Sequence, residues 1–230
     1  MADYQSAEEV EQEHLRAFGP TLGRLYHELY NEVTWVHAKW LQYRELYAKS
    51  EKRIELLNQT AALFFRIVQD ALWENVLLHI ARLTDPPVQG EFKNLTLQCL
   101  PDAVGDQVLA GDLRNLVEAG LNRSQFAREW RNKRLAHNDL SLAVDAKAAR
   151  LPGVSRQNVE DALASFRQIM NRMYGAFFQS EVAFEHFVTD GSADALVYRL
   201  AVAARLDEHR SKRFRQGKPL PEDLEPIPEA

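Results

Sequence analysis

Apolar residues recur at steps of three and four along most of the chain, which is the spacing of one face of an α-helix. The clearest stripe begins after Pro20 and predicts a helix that runs to about Ala48. Ser50 is a favoured helix N-cap residue, and it predicts a second long helix that ends at Asp85-Pro86-Pro87. This second helix carries apolar bulk on more than one side, so we expect it to be the central helix. The two stripes are Leu22, Leu25, Tyr26, Leu29, Val33, Val36, Trp40, Tyr43 and Tyr47, then Leu57, Ala61, Phe64, Val68, Leu72, Val76, His79 and Leu83.

Shorter periodic segments extend the helical pattern on both sides of these helices. Residues 88–102 contain Gly90 and Pro101 and show no sustained period, so they predict a loop with at most one helical turn or a short hairpin. Strand signals of alternating β-branched residues are few. The pattern predicts an all-α protein, an up-and-down helical bundle with additional N- and C-terminal helices. The other predicted helices cover about 6–17, 103–119, 123–137, 156 to the 181–187 region, and 193–214.

These segments suggest four parts along the chain. The last part holds four prolines and four acidic residues, a composition that predicts a mobile tail. The predicted parts are an acidic N-terminal leader helix (1–19), a helical bundle (20–190), a C-terminal helix (191–216) and the tail (217–230).

Composition narrows the class of protein. Hydrophobic residues make up 46% of the chain, enough to fill a sizeable core. Cys99 is the single cysteine and cannot form an intrachain disulfide, and the acidic start lacks the pattern of a secretory signal. The most apolar long window, 61–83, is interrupted by charged residues, so no membrane span is expected. We therefore expect a cytoplasmic protein.

Charge is unevenly distributed. The net charge of −5 argues against a surface-wide nucleic-acid binder. Between residues 114 and 137, however, basic side chains outnumber acidic ones, so a basic patch on an acidic protein is one interpretation. A solvated helix face is the other, and charge alone favours it. The basic residues are Arg114, Arg123, Arg128, Arg131, Lys133 and Arg134, against Glu118 and Glu129.

Most signatures of catalytic sites are missing from the sequence. It contains no GxxxxGK[ST] or GxGxxG loop and no GxSxG elbow, which argues against P-loop and serine-hydrolase chemistry. The Glu11–His14 pair is the one Glu-x-x-His found, and it lies in a leader expected to be exposed. His27 and His37 would be about 15 Å apart along one helix, so no metal site is expected. His79 lies on the apolar stripe of the central helix and is interpreted as a core residue.

One segment, REWRNKRLAHNDL, combines residues suited to phosphate chemistry. Arg131 is followed directly by Asn132 and, six positions after the arginine, by His137. This spacing resembles the Arg-x(4–6)-His motif of the HEPN superfamily, in which a polar residue follows the arginine. The upstream segment FFRIVQDALWENVLLHIARLTDPP is similar to the corresponding helix of abortive-infection HEPN proteins of the AbiU type. The resemblance covers about residues 20–190.

The resemblance implies a metal-independent endoribonuclease that needs no cofactor and leaves 2′,3′-cyclic phosphate ends. The side chains suit that reaction. An imidazole titrates near neutral pH, so His137 could transfer protons. The guanidinium of Arg131 could stabilise charge on the phosphate, and Asn132 is given a supporting role. The implied setting is phage defence or a toxin, with RNA as substrate and an antitoxin or activator protein as a further candidate partner.

Helix geometry constrains this site. Six helical steps leave Arg131 and His137 about 120° apart around the axis and about 9 Å apart along it. Either the helix ends or bends between them, or two chains each contribute one residue. HEPN proteins typically pair motif helices across a dimer cleft, so the resemblance implies a homodimer through this helix.

Two alternatives stand beside this hypothesis. Arg131 could simply bind an acidic neighbour such as Glu74 or Asp70, while His137 satisfies the C-terminus of a helix. The whole chain could then be a catalytically inactive helical module that binds RNA, a nucleotide or another protein.

Overall fold

The computed structural model describes residues 5–132, 153–186 and 191–225, and within them the protein is all-α apart from one hairpin. The hairpin pairs β1 (Val88–Gln89) with β2 (Phe92–Lys93) in the antiparallel sense, and Gly90 takes a positive φ in its turn. It lies where the sequence allowed one. The helices are α1 (Ala7–Phe18), α2 (Pro20–Tyr47), α3 (Glu51–Leu83), α4 (Leu100–Ala103), α5 (Gln107–Arg123), α6 (Gln125–Trp130), α7 (Arg156–Phe178) and α8 (Ala193–Arg215), with 3-10 turns at Leu97–Cys99 and Pro221–Asp223.

The chain forms two compact units. The first comprises Met1–Leu41 and Ala71–Phe187, and the second comprises Gln42–Asp70 and Val188–Ala230. Helices α2 and α3 therefore contribute residues to both units. The linear boundaries expected from the sequence remain predictions.

Local sequence explains where the helices begin. The Ser6 side chain accepts a hydrogen bond from the backbone N–H of Glu9, whose carboxylate accepts one in return, and this capping box starts α1. Asp106 caps α5 by accepting from two backbone N–H groups, and Ser155 starts α7 as predicted. The Ser50 hydroxyl accepts from the backbone N–H of Arg53, 3.3 Å away, at the predicted start of α3.

The core of the first unit is built on α2, α3 and α7. The predicted stripe of α2 is confirmed by its fully buried members, and the C-terminal half of α3 is buried as expected of a central helix. Large buried side chains of this core are Tyr26, Leu29, Val33, Val36, Val76, Leu77, Ile80, Leu163, Phe166 and Ile169.

The N-terminal half of α3 does not fit the prediction of a central helix. Phe64, placed on the buried stripe from the sequence, is 59% exposed, and Leu63 and Ile67 are exposed as well. The backbone leaves helical geometry at Ala61, so the stripe cannot be continued through this point without a change of phase. The prediction was therefore wrong for the turns around Phe64, whereas Leu57, on the same predicted stripe before Ala61, is buried.

The second unit fixes both ends of α8. Asp194 in its first turn forms ion pairs with Lys49 and Arg53. At the other end, the Asp223 carboxylate accepts from Arg213 at 2.7 and 2.5 Å, and Asp223 is 4% exposed. The segment predicted to be a tail is thus held against α8 as far as Asp223, while residues 226–230 lie outside the described residues.

A glycine inside α5 shows why one predicted helix boundary was misplaced. Gly120 was taken as the break between two helices, but α5 continues through it to Arg123 and the break falls at Ser124. A Cβ atom at Gly120 would lie 3.3 Å from Cδ1 of Ile169 on α7. The glycine therefore permits a close approach of α5 and α7 instead of ending a helix.

A second glycine lets α1 and α2 touch. A Cβ atom at Gly23 would lie 2.7 Å from the carbonyl oxygen of His14 and from the Cα of Leu15. Both are backbone atoms, which cannot move aside as a side chain can. The α1–α2 contact therefore requires glycine at this position.

We predict that Gly23→Ala lowers the free energy of unfolding by about 1–3 kcal/mol, because the added methyl group overpacks the α1–α2 contact. Gly111→Ala is the matched control: Gly111 is also helical, but its Cβ would meet nothing within 4 Å. We expect this control to raise the free energy of unfolding by about 0.5–1 kcal/mol. Urea unfolding followed by circular dichroism measures both, and equal effects of the two variants would contradict the packing argument.

Buried histidines connect α2 to three other helices in the first unit. His14 on α1 is only 2% exposed, and its Nδ1 lies 3.1 Å from Nδ1 of His27 on α2. The sequence had placed His14 in an exposed leader, which was wrong, because α1 packs against α2 and covers it. Of the Glu11–His14 pair, the structure thus gives His14 a role in packing.

The other two histidines lie in polar networks. His79 on α3 has its Nε2 2.7 Å from the Glu32 carboxylate and its Nδ1 3.3 Å from Lys39 Nζ, both groups on α2. His37 on α2 has its Nδ1 2.8 Å from the carbonyl oxygen of Val33 and its Nε2 3.2 Å from Arg167 on α7. His79 is 4% exposed and His37 is also 4% exposed, which agrees with the interpretation of His79 as a core residue.

Burial disfavours the charged form of all three histidines. Desolvation lowers the pKa of His14, His37 and His79 from 6.5 to about 4 in each case. Near neutral pH the folded protein therefore holds these imidazoles uncharged.

We predict that stability falls as the pH is lowered from about 6.5 to about 4. The unfolded chain takes up protons below pH 6.5, whereas the folded chain does so only near pH 4. Stability from these groups is fully present above pH 6.5, and each histidine contributes a slope of up to about 1.4 kcal/mol per pH unit below it. Urea unfolding at several pH values should show this slope, and His37→Gln should reduce it. An unaltered slope in His37→Gln would contradict the assignment.

Candidate functional site

The motif arginine lies just beyond the end of an α-helix. Helix α6 ends at Trp130, and Arg131 and Asn132 continue in a wider, π-type turn. The backbone N–H of Arg131 donates to the carbonyl oxygens of Ala127 and Arg128. The helix predicted over 123–137 begins two residues later than expected, because α5 and α6 meet at Ser124, and Arg131 keeps helical backbone angles of φ −55° and ψ −51°. Residues 133–137 lie outside the described residues.

The guanidinium of Arg131 is held by a carboxylate from a distant part of the sequence. Its Nη1 contacts both carboxylate oxygens of Asp85, at 2.5 Å for Oδ2. The side chains of Arg131 and Asp85 are 21% and 13% exposed. A charge-assisted pair in such a partly buried place is stronger than a surface pair, so the arginine has a defined position.

The structure therefore answers one question raised by the sequence, namely whether Arg131 binds an acidic neighbour. Arg131 does bind an acidic neighbour, but that neighbour is Asp85 and not Asp70 or Glu74. Asp70 pairs with Arg66 at 3.0 Å, and Glu74 is exposed. The acidic partner follows directly on the end of α3.

Asn132 contacts the same guanidinium. Its Oδ1 accepts a hydrogen bond from Nε of Arg131 at 3.0 Å, and Asn132 itself is exposed. Two nitrogens of the guanidinium are thus engaged by Asp85 and Asn132. Within the described residues the third, Nη2, has no hydrogen-bond partner.

The position of Asp85 depends on donors that satisfy the end of α3. Nη1 of Arg128 donates to the carbonyl oxygen of Thr84 at 3.1 Å, and its Nη2 donates to that of Leu121 at 3.0 Å. Nε2 of Gln98 donates to the carbonyl oxygens of Thr84 and Asp85, at 3.1 and 2.8 Å. Two side chains therefore fix the turn that presents Asp85.

Sequence reasoning missed Asp85, Arg128 and Gln98. Asp85 was noted only as part of the Asp-Pro-Pro stop of a helix, and Arg128 only as one of several basic residues. An acidic residue next to a double proline at the end of a buried helix is a weak signal. It becomes meaningful only once the motif arginine is known to lie beside it.

The motif histidine, His137, lies outside the described residues. The distance from Arg131 to His137 is therefore not measured, and the catalytic assignment of Arg131, Asn132 and His137 stays a prediction. Among the described residues no group of three or more His, Cys, Asp or Glu side chains is arranged to hold a metal ion. In the same ranges no helix is long and apolar enough to cross a bilayer.

Comparison with known proteins adds one match. The family model of the AbiU2 proteins of the HEPN superfamily matches residues 20–198, which is most of the chain and includes the Arg-Asn…His segment. No curated protein and no solved structure matches the chain. The chain belongs to the HEPN AbiU2 family.

Proposed function

We propose that this protein is a metal-independent endoribonuclease that acts in abortive infection or as a toxin. The observation that carries the proposal is the set of hydrogen bonds made by the motif arginine. Asp85 binds its Nη1 and Asn132 binds its Nε. Within the described residues its Nη2 has no hydrogen-bond partner and could bind a ligand. A positioned guanidinium suits a phosphate ligand, and the same motif supplies a histidine for proton transfer.

The proposed reaction is internal transesterification of RNA. The ribose 2′-oxygen attacks the adjacent phosphorus, the bond to the 5′-oxygen breaks, and a 2′,3′-cyclic phosphate and a 5′-hydroxyl result. One proton leaves the 2′-hydroxyl and one joins the departing 5′-oxygen. His137 transfers one of these protons, since an imidazole titrates near neutral pH.

Arg131 stabilises the negative charge that grows on the phosphate oxygens during attack. Its planar group must be oriented before the substrate arrives, because stabilisation of a transition state depends on preorganised donors. Asp85 supplies this orientation, and it also balances the charge of a partly buried guanidinium while no RNA is bound. Asp85 is accordingly a positioning residue in the proposal.

We further propose that two chains complete each site. Arg131 keeps right-handed helical backbone angles at the end of α6. Along a helix that continues, a histidine six residues later would point about 120° away, so the proposal pairs motif segments across a dimer, with the arginine of one chain beside the histidine of the other. RNA is the substrate in this proposal. Either an antitoxin keeps the dimer silent until it is removed, or an activator protein triggers cleavage.

A second candidate function is favoured by the same ion pair. An arginine fully committed to Asp85 would serve only to tie α6 to the end of α3. The protein would then be an inactive helical module that binds RNA, a nucleotide or a protein, as its net charge of −5 also suggests. Activity measurements separate the two.

We predict that purified protein cuts RNA in the presence of chelator and leaves 2′,3′-cyclic phosphate ends, because the proposed chemistry uses a histidine and an arginine and no metal-bound water. His137→Ala should lower the rate by about 10²- to 10⁴-fold through loss of proton transfer. Arg131→Lys should be severely impaired as well, since an ammonium keeps the charge but lacks the planar fork.

The readout is gel analysis of a labelled oligoribonucleotide, with end groups identified by mass spectrometry. A substrate with 2′-deoxyribose at the cleaved position is the control and should stay intact. Cleavage by His137→Ala at the wild-type rate, or cleavage that disappears with chelator, would refute the proposed mechanism.

We predict that Asp85→Asn lowers kcat by about 10- to 100-fold and changes KM little, because an unpositioned guanidinium binds ground-state phosphate but fits the transition state poorly. In an Arg131→Lys background the same change should add little further loss, since both residues act through one guanidinium. Asp102→Asn is the matched control: Asp102 pairs with Arg114 at 3.3 Å on the surface, and its loss should leave kcat unchanged. Additive losses from Asp85→Asn and Arg131→Lys would show that Asp85 does not act through Arg131.

A further inference from the structure

Helix α8 is anchored at both ends and uncovered between them. Asp194 fixes its first turn through Lys49 and Arg53, and Asp223 fixes its last turns through Arg213. Every residue from 201 to 209 is exposed. These turns are therefore exposed in the part of the chain that the structure describes.

The uncovered turns begin with an apolar stretch and end with charged residues. Residues 200–204 read LAVAA, and next to them Leu206 is 62% exposed and Tyr198 is 71% exposed. Helices in proteins owe most of their stability to packing of an apolar face, and an exposed apolar stretch marks a binding surface. Something outside the described residues is therefore expected to cover α8.

One face of α8 is complementary to itself. Ala203 lies at its centre, where a small side chain allows another helix to approach closely. Arg199 and Asp207 lie four residues before and after Ala203, within about 40° of it around the axis, and within the described residues neither forms an ion pair. Three leucines lie within about 60° of Ala203 on the same face: Leu196, Leu200 and Leu206. Arg210 also lies on this face, about 20° from Ala203, and its guanidinium donates to the carbonyl oxygen of Asp223 at 2.5 Å.

We propose that this face binds the same face of a second copy of the chain, with the two α8 helices antiparallel about a two-fold axis at Ala203. Each Arg199 then lies opposite Asp207 of the other copy, and each Leu200 lies opposite Leu206. A parallel pair would place Arg199 beside Arg199 and Asp207 beside Asp207. Charge complementarity thus selects both a second copy and the antiparallel direction.

This interface is independent of the proposed RNA cleavage. It uses α8 and not the motif segment, so a protein that also pairs through the motif would lose one step of association, and not all of it, when α8 is altered. RNA cleavage and α8 pairing can therefore fail separately.

Sedimentation velocity of the full chain at 1–100 µM tests the charge pairs. Arg199→Glu and Asp207→Arg should each weaken association at least tenfold, because each places like charges opposite one another. The double variant with both changes should regain wild-type association, since the charges are exchanged and not lost. Arg205→Glu, on the opposite side of α8 from Ala203, is the control and should associate like the wild type.

Cross-linking tests the geometry independently. In a Cys99→Ser background, Ala203→Cys should form an intermolecular disulfide under mild oxidation, because the two-fold axis brings this position next to itself. Ala201→Cys, about 160° away around the helix, should not.

A wild-type chain that stays monomeric at 100 µM would overturn the proposal. So would the finding that a different protein binds α8. So would equal cross-linking of Ala203→Cys and Ala201→Cys. Failure of the double charge variant to restore association that both single variants lose would refute the antiparallel register.

Discussion

The burial of the C-terminal end of α3 is the constraint on which the candidate site depends. Pro86 and Pro87 cannot continue the helix, so its last carbonyl groups lose their partners inside a packed unit. Arg128 and Gln98 supply the missing donors. Because they fix the turn, Asp85 is presented to Arg131. The donors that satisfy buried backbone groups thus also orient the guanidinium of the motif arginine.

Much of the helical architecture could be predicted from the sequence because its causes are local. Prolines and capping serines mark the starts and stops, and the stripe of α2 stays in phase over the whole helix. The failures have causes that are not local. Gly120 resembles a helix stop, but it is a glycine that lets Ile169 of another helix approach closely. The stripe through Phe64 fails because the backbone leaves helical geometry at Ala61.

The candidate site likewise contains residues that a local motif identifies and a residue that only the tertiary structure identifies. Arg131 and Asn132 could be found from a short motif, because the motif consists of residue types and their spacing. Their partner Asp85 could not, because a contact between residues 46 positions apart depends on how α6 packs against the end of α3. His14 shows the same limit, since an acidic amphipathic helix gives little local sign that one of its faces will be covered.

The pairing of Asp85 with Arg131 also has an evolutionary consequence. Two partly buried opposite charges are tolerated together, whereas either one alone leaves an uncompensated charge that destabilises the fold. Selection on folding therefore acts on the pair even where selection on catalysis is relaxed. In a lineage that loses the proposed activity, both residues should be replaced together. Proteins that keep one of the two charges and not the other should be rare.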